Sequence, residues 1–170
     1  MGLPGSGKST AGRQLARRLA LSFLDSDHLI EQRIGCSIRS FFEREGEAAF
    51  RDVEEEVISD LVAQGGGVLA TGGGAVLRPA NRQRLHAGGS VVYLHVLPDE
   101  LFRRLKRDTQ RPLLQVADPL ARLREMYEQR DPLYRGTAHF VVEAGRSSAA
   151  TLANMVLMQL ELAGALPPRP

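Results

Sequence analysis

The stretch Gly2-Leu3-Pro4-Gly5-Ser6-Gly7-Lys8-Ser9 satisfies every fixed position of the pattern G-x-x-x-x-G-K-[ST]. No other feature narrows the possible folds of this chain as much. Glycines let a backbone curl until several N–H groups point at one phosphate. A helix that begins at the end of the curl adds its positive N-terminus. Residues 8–20 supply that helix, because Ala11, Leu15 and Leu19 recur at i, i+4 and i+8. Gly5, Ser6, Gly7, Lys8, Ser9 and Thr10 are therefore expected to cradle a nucleotide triphosphate such as ATP. Lys8 is expected to reach its β- and γ-phosphates, and the Ser9 hydroxyl to ligate Mg²⁺. The plain alternative is a Gly-rich turn ahead of a helix. Average residue usage makes a chance match rare, roughly one starting position in thirty thousand. Lys8 and Lys106 are the only lysines, against twenty arginines. A lysine in this place, in a chain that otherwise uses arginine, suits a compact and flexible point charge.

Behind the loop, strand and helix signals alternate, which predicts an α/β fold with a mostly parallel central sheet between helical layers. Short strands are expected at 22–24, 68–70, 91–96 and 140–142. Helices are expected at 27–34, 38–45, 47–63, 99–107, 119–129 and 148–163, with breaks at Gly35 and Gly46 and a stop at Gly65-Gly66-Gly67. Residues 1–163 read as one domain, and 164–170 as a disordered tail. A phosphate loop ordinarily follows a buried strand. Here Met1 stands in its place, so that first strand is expected to be missing.

Composition removes several classes. A net charge of +2 with no long basic block argues against nucleic-acid binding. No run of eighteen apolar residues suggests a membrane span. The single cysteine, Cys36, forms no internal disulfide and suits a reducing, cytoplasmic setting. The start also matches a myristoylation pattern, but Gly2 belongs to the far more specific phosphate loop. His28, His86, His95 and His139 show no metal spacing.

Five further stretches narrow the reading: Asp25-Ser26-Asp27, Phe50-Arg51, Thr71-Gly72-Gly73-Gly74, Arg111-Pro112-Leu113-Leu114 and Arg130-Asp131-Pro132-Leu133-Tyr134. In this order and spacing, from Gly2 to about residue 160, they closely resemble shikimate kinase. The resemblance implies a three-layer P-loop kinase that moves the γ-phosphate of ATP to the 3-hydroxyl of shikimate. Arg51 and Arg130 then resemble the pair that holds the shikimate carboxylate, a task suited to a planar guanidinium fork. Asp27 resembles the carboxylate that binds ring hydroxyls and acts as base. Asp25 resembles the residue that holds Mg²⁺ through water. Gly73 resembles the glycine whose backbone meets the substrate, where a side chain would crowd the ring. Arg111 resembles an arginine that swings over the phosphates from a lid at about 108–118. Around Gly145-Arg146-Ser147 the match is poor, and no adenine contact is assigned.

Taken singly, each of these residues has a plainer reading. Asp27 is equally suited to cap the helix that follows. Arg51 is placed to pair with Glu55 on the helix surface, and Glu54 to orient Arg51 from i+3. Arg130 is suited to a helix C-terminus, Arg111 to a solvated loop, and the three glycines to a turn. Glu54-Glu55-Glu56 read as a mostly solvated helix face. A kinase of another small hydroxy-acid such as gluconate, or a non-catalytic metabolite sensor, are the competing functions. A monomer acting on a small molecule is expected.

Overall fold

The structure, a computed structural model, describes residues 1–106 and 115–166. Arg111 and most of the expected lid lie outside the described residues. Element order is α1 (Lys8–Leu19), β1 (Ser22–Asp25), α2 (Ser26–Ile34), α3 (Ile38–Gln64), β2 (Gly67–Ala70), a 3-10 turn (Ala75–Leu77), α4 (Pro79–Gly88), β3 (Val92–His95), α5 (Pro98–Leu105), α6 (Pro119–Thr137), β4 (Phe140–Glu143) and α7 (Ala149–Leu162).

Local chemistry sets most boundaries. Gly35 closes α2 with φ 70°, a left-handed conformation that glycine adopts at little cost. Gly46, at φ 83° and ψ 174°, kinks α3 where two separate helices were expected. Ser37, Asp118 and Ser148 cap α3, α6 and α7 by accepting from the N–H groups of Ser40, Ala121 and Thr151.

Three expectations about local structure change. First, α4 carried no clear apolar stripe and was not foreseen. Its signal is Pro79 at the first helical position, and it is held by buried Asn81, whose Nδ2 donates to the Ala75 carbonyl at 3.0 Å. Second, α6 does not end at 130–134. It runs through Pro132 to Thr137, because the fully buried Tyr134 anchors its last turns in the core. Third, part of the tail is placed. The Ala165 N–H donates to Leu160, and Leu166 packs at the edge of the main core.

Strands β1 and β2 pair in parallel, as do β3 and β4. The two pairs are not bonded to each other. Beside β3, the Leu94 N–H donates to the Met1 carbonyl at 2.9 Å, and the Met1 ammonium donates to the Val92 carbonyl at 2.7 Å. Met1 thus lies where a strand leading into the loop would end, as the sequence suggests. Between β2 and β3 lies a largely apolar cavity of about 330 Å³, with Leu15, Val68, Val92, Leu94 and Val156 among its lining.

Helices cover both faces of the strands. Val68 packs into the cluster that holds Leu15 of α1 and Leu152 of α7. Its neighbour Leu69 points the other way, toward Ile58 of α3 and Leu85 of α4. This alternation along β2 makes the helix–sheet–helix layering. It also brings the ends of β1 and β2 beside the phosphate loop.

Candidate active site

The phosphate loop spans Gly2–Gly7 and opens directly into α1. Gly5 and Gly7 have φ of 83° and 92°, values that side-chain-bearing residues rarely adopt. Gly7 stands at the N-cap and contributes no side chain, so the first amides of α1 are not capped from within. The Lys8 ammonium donates to the carbonyls of Gly2 and Leu3, both at 2.9 Å, which curls the loop around it. Ser6 is fully buried, and its hydroxyl has no partner among the described residues.

The Ser9 hydroxyl donates to Asp25 Oδ2 at 2.6 Å. The other oxygen of Asp25 accepts from the N–H of Asp27 at 3.1 Å, so Asp25 rather than Asp27 caps α2. Its extended backbone at the end of β1 meets the geometric requirement of a cap, whereas Asp27 already lies in the first helical turn. Asp27 is therefore not committed to capping. Burial pushes its carboxyl up from the ordinary value to about 6, with the neighbouring Asp25 and Glu54 adding to the effect and Lys8 opposing it.

Arg51 and Glu54 project from one face of α3. Arg51 Nη1 donates to Glu54 Oε2 at 2.6 Å, and its Nη2 donates to Glu47 at 3.3 Å. The i+4 pairing with Glu55 does not form. Glu55 bonds Arg78 and Arg84 instead. Nor is Glu54 a solvated face residue: its side chain is 1% exposed. Burial pushes the Glu54 carboxyl upward, and Arg51, then Arg130, pull it back. Arg130, half-buried in α6, has the Tyr134 phenol beside its guanidinium. Among the described residues, the Nε atoms of Arg51 and Arg130 are buried with no hydrogen-bond partner.

The loop Gly72-Gly73-Gly74 joins these parts. A Cβ on Gly72 would stand 2.6 Å from Asp27 Oδ1, and one on Gly74 would collide with Arg51 Nη2. A Cβ on Gly73 would meet Pro4 Cδ at 2.9 Å. A side chain at Gly73 would thus crowd the phosphate loop. The Gly73 carbonyl accepts from the Tyr134 hydroxyl at 2.5 Å. Sequence reading gave Pro4 and Tyr134 no role, although both stand inside the motifs it used.

The family model described as shikimate kinase matches residues 4–161. The chain belongs to the shikimate kinase family. It is 62% identical over 173 residues to the shikimate kinase of Paracidovorax citrulli, covering all of this chain and 94% of that protein. The structure of shikimate kinase from Acinetobacter baumannii in complex with shikimate superposes with a TM-score of 0.89 at 45% identity, covering 98% of this chain and 93% of that one. A gluconokinase from Sinorhizobium meliloti matches with a TM-score of 0.59 at 19% identity, covering 96% of this chain and 90% of that one, a likeness of fold alone. Among the described residues, no helix is long and apolar enough to cross a membrane.

Proposed function

We propose that this chain transfers the γ-phosphate of ATP to the 3-hydroxyl of shikimate. The observation that supports this reading is the pair of arginines, Arg51 and Arg130, each with a buried Nε that has no partner among the described residues. A buried donor of this kind asks for an acceptor, and a carboxylate meets a guanidinium edge with two parallel bonds. Asp27, which faces Gly72 as Glu54 does, is the group to hold a ring hydroxyl and take its proton. A carboxyl raised toward neutral pH is a better base than an ordinary one.

On the nucleotide side, the loop amides and Lys8 would grip the triphosphate. Phosphoryl transfer asks mainly for positioning and for neutralisation of spreading charge. Ser9 and Asp25 fit Mg²⁺, because a hydroxyl and a carboxylate oxygen, both hard donors, lie 2.6 Å apart beside the loop. When bound, the ion would neutralise phosphate charge. Arg111, from a lid at about 108–118, would close over the phosphates and exclude water. The protein would act in the cytoplasm as a monomer.

The test is a titration of ADP release with shikimate, with gluconate as comparator. Release that rises with shikimate and stays at background with gluconate supports the reading. Equal release without either acid would mark a plain ATPase and overturn it.

A further inference from the structure

The geometry points to Tyr134 as a positioning residue that ties Arg130 to the Gly73 peptide and so sets the affinity for the acid substrate. This rests on the reading of Arg130 and Gly73 as acid-side groups. Three observations carry it. The Tyr134 side chain is fully buried and its ring stacks on Tyr93, with centroids 4.8 Å apart, so the phenol has little freedom to swing. Its hydroxyl donates to the Gly73 carbonyl at 2.5 Å. The same oxygen lies beside the Arg130 guanidinium, one turn earlier on α6. A phenol has one proton and lone pairs to spare. With that proton given to Gly73, the oxygen must accept from the guanidinium.

The direction of each bond is thereby fixed, and two consequences follow. One Arg130 donor then faces the phenol, while its Nε has no partner among the described residues. The guanidinium is thus turned in one orientation, leaving an edge for a carboxylate. The Gly73–Gly74 peptide is planar, so pinning its carbonyl on Tyr134 aims the Gly74 N–H the opposite way. One hydroxyl therefore orients a side-chain donor and a backbone donor together. Desolvation raises the phenol to about 12, so it stays protonated and the donor direction holds throughout the working pH range.

The test is Tyr134→Phe, which removes one oxygen and keeps the ring. Losing a hydrogen bond to a buried charged group predicts a rise in the KM for shikimate of about tenfold. The KM for ATP should stay within about twofold, since a remote contact acts on the acid alone. Tyr93→Phe, which removes only the 2.8 Å bond to Asp131, should leave both KM values near wild type. An unchanged shikimate KM in a folded Tyr134→Phe protein overturns the proposal, even if its melting temperature falls. Equal rises in both KM values overturn it too.

Should Tyr134→Phe fail to fold, the wild-type protein decides. Its three tyrosines can be labelled with ¹³C at Cζ and assigned by removing Tyr93 and Tyr127 in turn. The Tyr134 signal should shift on adding shikimate and stay still on adding ADP. No shift with shikimate refutes the role. Wild-type protein that turns over no shikimate refutes the acid-site reading itself, a separate outcome from either.

Discussion

Arg51 and Glu54 stand three residues apart on α3, with Nη1 2.6 Å from Oε2 and the carboxylate almost wholly buried. A buried carboxylate against a buried guanidinium is costly to form. Its use here is orientation: Glu54 holds Nη1 of Arg51, Glu47 holds Nη2, and the Nε is left unpartnered among the described residues.

Glu54→Gln should therefore weaken substrate affinity without lowering stability. Burial leaves the Glu54 carboxyl raised even with Arg51 beside it, so the neutral amide avoids the cost of the buried charge. The KM for shikimate should rise severalfold with the KM for ATP unchanged. Thermal unfolding and steady-state kinetics on one preparation check both. Unaltered kinetics would reduce Glu54 to a core residue.

Arg51→Ala removes the guanidinium that Glu54 holds. Charge-assisted bonds of ~1.5–3 kcal/mol predict a ten- to hundredfold rise in the KM for shikimate. Calorimetric titration with shikimate alone should show the same loss, because the effect lies in binding. Wild-type affinity in this variant would take Arg51 out of the site.

How far the sequence could be read depends on how local each signal is. The phosphate loop was legible because its geometry is made by glycines at fixed offsets, and Gly5 and Gly7 have the positive φ that such a curl needs. The break at Gly46 and the end of α2 at Gly35 were legible for the same reason. The end of α6 was not: Pro132 suggests a stop, but Tyr134 is buried at the centre of the molecule, and that packing holds the helix on to Thr137. Tertiary packing is invisible to a local rule. The capping of α2 was misplaced by two residues because Asp25 and Asp27 are equally good caps by type, and only the end of β1 decides between them. Glu54 looked solvated among Glu54-Glu55-Glu56 because three like residues on a helix point three ways. Only one, Glu54, turns into the core.

Lys8→Ala should leave the fold standing and remove turnover. Its ammonium holds the carbonyls of Gly2 and Leu3, two contacts local to the loop. Loss of the charge that would meet the β- and γ-phosphates predicts a fall in kcat of at least about a hundredfold. Circular dichroism and the ADP assay together check this. Retained turnover would show that the loop does not serve ATP.

Asp27→Asn should separate stability from activity. The Asp27 carboxyl is raised to about 6 in the folded protein, chiefly by burial, against 3.8 for the free group. Between roughly pH 4 and 6 the folded state therefore binds more protons than the unfolded one, and stability falls as pH rises. Above 6 the full penalty of the buried charge is present. Asparagine keeps the shape and carries no charge, so the metal-free variant should be more stable than wild type at pH 7.5. Allowing for partial solvent access, a gain of about 1–2 kcal/mol is expected, or roughly 2–8 °C. Below about pH 4, where wild-type Asp27 is also neutral, the two melting curves should converge. The same change removes the proposed base and should cut kcat by about a hundredfold or more. For wild type, the rate should drop as pH falls through the region near 6. A variant that melts lower than wild type at pH 7.5, or one that keeps full turnover, would show that the Asp27 charge is neither strained nor used.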